Sequence, residues 1–61
     1  KVIEAFTHLP ETGRQCMIYR YIDDFSTKEI AEVTALSEVA VRKHLSRNVQ
    51  RLQKYFNEVI N

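Results

Sequence analysis

Apolar residues fall on one helical face over the last third of this chain. Val41, Leu45, Val49, Leu52, Phe56 and Val59 recur every three or four positions, the spacing of a single buried stripe. Lys43, Arg47, Gln50 and Lys54 occupy the opposite pole, flanked by Val39, Ala40 and Ser46, with Arg42 and Arg51 on the shoulders. Upstream, Met17, Ile18, Tyr21 and Ile22 mark the inner face of an earlier helix that Phe25 closes, and Ile30, Ala31 and Val33 mark a shorter one. Ile3 and Phe6 point inward from a first short helix. No run keeps a period of two for long, and one glycine and one proline leave little for sheet turns. The pattern predicts an all-α fold, a small domain of four helices.

The ends of these helices carry signals of their own. The first helix is expected over residues 2–8. Pro10 opens the second, since proline is tolerated in a first turn and not later, and this helix is expected over residues 10–24. Gly13 in its early turns costs about 1 kcal/mol relative to alanine. Ser26 followed by Glu29 has capping-box spacing and starts a third helix over residues 27–34. Thr34, Ala35 and Leu36 interrupt the stripe. Ser37 then caps the fourth helix, with Glu38 near its positive end. Two capped helices joined by a tight turn make a helix-turn-helix, in which the second helix usually enters the DNA major groove.

Sixty-one residues make one domain, read as a single helix-turn-helix unit over residues 1–61. A chain this short buries only about 60% of its unfolded surface, so its stability is expected to be marginal. The net charge of +1 conceals a division. Residues 1–41 carry four basic residues against seven acidic ones, a net −3, whereas residues 42–61 carry five against one, a net +4. Basic charge gathered on the last helix is a footprint for phosphate, although such a run taken alone also describes a solvated face.

Catalytic and metal chemistry find little purchase. Cys16 is alone, so no disulfide framework or metal site can be assembled inside the chain, and a buried, reduced, cytoplasmic cysteine is expected. His8 lacks a partner at ligand spacing, His44 borders the apolar stripe as a packing residue, and the Asp23–Asp24 pair reads as a helix end. No nucleophile motif, phosphate loop or metal signature occurs, so neither an enzyme nor a cofactor is expected. No apolar run is long enough to cross a bilayer and no signal peptide is visible. Because the first residue is Lys1 rather than Met, we expect an excised fragment of a longer protein.

The segments LPETGR, MIYRYIDDFS and KEIAEVTALSEVAVRKHLSR resemble region four of bacterial sigma factors, of the small extracytoplasmic-function group. The similarity spans about residues 6–52. It rests on Leu9–Pro10–Glu11, Arg14, Arg20–Tyr21–Ile22–Asp23 and Ser26 with Glu29–Ile30–Ala31. The Lys43–His44–Leu45 stretch is similar to the iron-starvation subgroup. Two positions depart from the family pattern. Ala35 stands where glycine is preferred, and alanine disfavours a left-handed backbone by about 1–2 kcal/mol. Ala40 replaces the usual threonine before Val41, which removes a hydroxyl contact.

The resemblance implies recognition of the −35 element of double-stranded promoter DNA, docking on the β-subunit flap of RNA polymerase, and an anti-sigma partner. At matching positions Arg42, Lys43, Ser46 and Arg47 face bases and nearby phosphates, and Val39 is placed to touch a thymine methyl. Arg20, Ser26, Thr27, Lys28 and Ser37 hold the DNA backbone. Phosphate contacts of this kind position the protein, while arginine and lysine in the major groove read guanine. Arg14 shares a face with Met17, Ile18 and Tyr21, and its head is expected to pair with Glu29 or Glu32. Phe6, Tyr55, Phe56, Val59 and Ile60 offer more apolar area than so small a bundle easily buries, and form the expected partner surface.

An alternative is the LuxR-type output domain of response regulators, which shares Lys28–Glu29–Ile30–Ala31 and the Val41, His44, Leu45 spacing. The Leu-Pro-Glu start, the interval from Leu9 to Ser26 and the length of the fourth helix favour the sigma resemblance. A third reading makes the chain chiefly a protein-interaction module. Salt separates that reading from DNA binding, because phosphate contacts weaken steeply as salt rises and an apolar dock barely responds.

Overall fold

A computed structural model describes the backbone of residues 2–60 and the side chains of residues 4–58. Among the described residues four helices follow one another: α1 (Val2–Phe6), α2 (Glu11–Tyr21), α3 (Thr27–Thr34) and α4 (Glu38–Ile60). The fold is all-α, as the periodicity predicts, with α3 and α4 forming the helix-turn-helix.

Local hydrogen bonds fix the ends. After Phe6 the chain tightens, and the amides of Thr7, His8 and Leu9 each donate to the carbonyl three residues back at 3.1 Å. This turn ends α1 two residues before the expected position. Pro10 is the N-cap of α2, just outside the first turn, with φ −57° and ψ 153°, and its carbonyl accepts from the Arg14 amide at 2.7 Å. At the other end Ile22 and Asp23 both donate to Ile18, and Asp24 takes a left-handed φ of 60°. The second helix is therefore shorter than the expected 10–24. The α2–α3 turn is held by Arg20, whose Nη1 donates to the Phe25 carbonyl at 3.3 Å, and by the stacked rings of Tyr19 and Phe25, 5.3 Å apart.

The capping box at Ser26 is complete: its hydroxyl accepts from the Glu29 amide at 3.1 Å, and its amide donates to Glu29 Oε1 at 2.8 Å. Ala35 closes α3 in the left-handed region, φ 60° and ψ 23°, and Ser37 caps α4 by accepting the Ala40 amide at 3.0 Å.

Two apolar clusters meet at α4. Phe6, Leu9 and Met17 pack with Ile18, Leu45, Val49 and Leu52. Cys16, Ile30 and Val41 pack with Tyr19, Phe25, Ala31, Leu36 and Leu45, making the core of the helix-turn-helix. Leu45 belongs to both. The expected inner faces of α2 and α3 need correction: Tyr21 is 58% exposed, Ile22 49% and Val33 55%. Tyr21 is the last residue of α2, Ile22 lies beyond it and Val33 is next to last in α3, so each sits where its helix runs out.

Candidate nucleic-acid interface

Capping at Ser37 sends α4 out of the turn with Val41 buried against Ile30, which turns the opposite face to solvent. Lys43, Ser46 and Arg47 are exposed on that face, and Val39 is 53% exposed. Arg42 is exposed too and sits 3.8 Å from Glu38 one turn earlier. A surface pair of this kind contributes little, so the guanidinium can exchange Glu38 for a phosphate or a base edge. The face presents four polar or cationic side chains and one methyl-bearing side chain over about two and a half turns. Such a face can read donors, acceptors and thymine methyls in a major groove.

The residues expected to grip the DNA backbone lie in the last turn of α2, the first turn of α3 and the N-caps of α3 and α4. Lys28 is exposed in the first turn of α3, and Thr27 beside it is half-buried. The Ser26 amide and hydroxyl lone pair are taken up by Glu29, which leaves its hydroxyl proton to offer an anion. Ser37 likewise spends its oxygen on capping and retains an O–H. Arg20 is exposed and uses one donor on the Phe25 carbonyl, keeping the rest of its fork for a phosphate.

The expected partner surface is only partly assembled. Phe6 is 3% exposed and is a core residue, because α1 folds its ring against Leu9 and Met17; it reaches the surface only as part of a groove floor. Tyr55 and Phe56 are half-buried, their rings edge-on at 5.6 Å, and Tyr55 also stacks on His8 at 4.5 Å. Val59 and Ile60 lie outside the residues whose side chains are described. An apolar groove of about 360 Å³ opens beside Phe56, floored by Phe6 and Met17 and walled by Tyr21, Val49, Leu52 and Gln53. The expected Arg14 pairing is absent: among the described residues the one ion pair is Arg42–Glu38, and Glu29 is committed to its cap.

Sequence reasoning passed over Asn48, although it falls on the apolar face one turn after Leu45. The side chain is fully buried, donating from Nδ2 to the His44 carbonyl at 2.6 Å and accepting at Oδ1 from Arg51 at 3.0 Å. It lies directly against Gly13, where an added Cβ would stand 2.6 Å from Asn48 Cγ. Close approach, not helix propensity, accounts for the glycine in α2.

A family model described as Sigma-70, region 4 matches residues 1–52. The chain belongs to that family. Sigma-70 region 4 domains bind promoter DNA as part of a sigma factor working with RNA polymerase, which fits the exposed basic face of α4 and removes the LuxR-type alternative. Searches among curated proteins and among solved structures gave no match. No helix among the described residues of this sigma-70 region 4 domain is long and apolar enough to cross a membrane.

Proposed function

We propose that this sigma-70 region 4 domain reads the −35 promoter element with the first half of α4. Lys43, Ser46, Arg47, Arg42 and Val39 face the bases, and Arg20, Ser26, Thr27, Lys28 and Ser37 hold the flanking phosphates. The observation that carries the reading is the exposure of Lys43, Ser46 and Arg47 on the solvent face of a capped second helix whose other face is locked to α3. The apolar groove beside Tyr21 and Phe56 supports docking on the β-subunit flap, with an anti-sigma factor as a competitor for the same ground. The motif resemblance supports membership of the extracytoplasmic-function group, with an iron-starvation character at Lys43–His44–Leu45 and a cytoplasmic location.

The test uses duplexes that the parent chain selects from a randomised pool, with affinity read by fluorescence anisotropy. Lys43→Ala and Arg47→Ala are each expected to weaken binding by roughly 5- to 150-fold, the span of one lost base contact, without changing the melting temperature appreciably. Parental affinity in both variants would overturn the recognition-helix assignment.

A further inference from the structure

We propose that Asn48 is a positioning residue for DNA recognition, which seats against Gly13 and fixes the angle at which α4 crosses α2. The proposal rests on the reading of α4 as the recognition helix and of Arg20 as a phosphate anchor.

Beside the Asn48–Gly13 contact, α2 and α4 are packed by Met17, Ile18, Leu45, Val49 and Leu52, apolar groups that can slide past one another at little cost. The Asn48–Gly13 contact is different in kind. The amide is wholly buried, and both its ends are engaged, Nδ2 on the His44 carbonyl and Oδ1 under the Arg51 guanidinium. Turning it would break a charge-assisted bond and strand a buried polar group, so its rotamer is fixed. The amide then meets the one residue of α2 that has no side chain, and there is no room for a Cβ between them. A rigid group pressed against bare backbone defines a pivot.

The consequences fall on both sets of DNA-facing residues. The His44 carbonyl ties the amide to the turn of α4 that carries Ser46 and Arg47, one turn after Lys43. On α2 the pivot lies seven residues before Arg20, about 10 Å along the helix. A rotation of about 10° at Gly13 would therefore move the Arg20 backbone by about 2 Å relative to Lys43 and Arg47. Phosphate contacts set which base edges the reading residues can reach, so such a shift degrades discrimination before it abolishes binding.

Three variants test this: Asn48→Ala, Gly13→Ala and the pair together. Gly13→Ala alone should lower the melting temperature by about 5–15 °C, since its methyl overlaps the amide. In the Asn48→Ala background the same change should cost little, because the space is vacant. Affinities are then measured, where each variant is fully folded, for the duplex selected by the parent and for a scrambled duplex of equal length. Asn48→Ala should lose at least about tenfold in the ratio of the two affinities, with scrambled binding held within about twofold. The double variant supplies the same measurement if Asn48→Ala does not fold. A residue that merely stabilised the domain would lower the melting temperature and leave the ratio alone. A folded Asn48→Ala or double variant with the parental ratio overturns the proposal while leaving the recognition-helix reading intact. A parent chain that selects no sequence overturns both.

Discussion

Ala35 holds the turn between α3 and α4 in the left-handed region, φ 60° and ψ 23°, at a cost of about 1–2 kcal/mol for an L-residue with a Cβ. Glycine would relieve that strain but lose more entropy on folding, about 0.4–1 kcal/mol. Ala35→Gly is therefore expected to stabilise the domain by about 0.5–1 kcal/mol, seen as a rise of a few degrees in a thermal melt. A fall would show that the turn is not strained. Cys16 makes a second prediction at this scale. Burial pushes its thiol pKa up, so the folded domain favours the neutral form. The unfolded thiol ionises first as pH rises, and the stability contributed by keeping it neutral is present below the ordinary thiol pKa and lost above it. Alkylation of Cys16 at pH 8 should proceed only at the rate of unfolding; rapid labelling of the native domain would contradict its burial. The Ala35 strain was legible through the family resemblance, which puts glycine at that one turn position. The Gly13–Asn48 contact was not, since neither residue announces a partner 35 positions away.

At the scale of the element, α4 is the member on which the others depend. It packs against each of the other three helices, most extensively against α2, and Leu45 joins both apolar clusters. Leu45→Ala should cost about 2–3 kcal/mol, the lower part of the usual range because the side chain is only partly buried. A domain of this size has a reserve of only about 3–9 kcal/mol, so the loss should appear as a large drop in melting temperature. A variant that melts with the parent would remove Leu45 from its bridging role. The stripe and caps of α3 and α4 were readable because capping boxes and helical periodicity are local. The inner face of α2 was misread at Tyr21 and Ile22, since a periodic pattern gives a helix's apolar side but not how far its neighbours extend. The expected exposure of Phe6 fails for the same reason: an aromatic near a terminus looks exposed until α1 folds it against Leu9 and Met17.

On the scale of the whole molecule, α4 runs nearly end to end. Its 23 residues span about 34 Å, against a longest dimension of 37 Å. The proposed reading face occupies the first half and the groove the second, with Lys43 and Phe56 about 20 Å apart along the axis. That separation exceeds the Debye length of about 8 Å at physiological salt, so charge at one end is screened from the other. The groove was invisible in the sequence, because its walls come from three helices that meet at angles no linear pattern records. Tyr21 gives the means to test the separation. It lines the groove, yet is 58% exposed, so Tyr21→Ser should disturb the core little. Under the proposed flap docking, a ring covered on binding contributes about 1.5–3 kcal/mol. Tyr21→Ser should then weaken binding of the isolated β flap by roughly tenfold or more in an NMR titration, while affinity for the selected duplex stays within about twofold. Salt should divide the two activities again: duplex affinity falls steeply between low and physiological salt, with a slope reduced by about one in Lys43→Ala, and flap affinity hardly moves. If Tyr21→Ser instead weakens DNA binding and spares the flap, the faces are misassigned, and the groove end of α4 lies on the DNA.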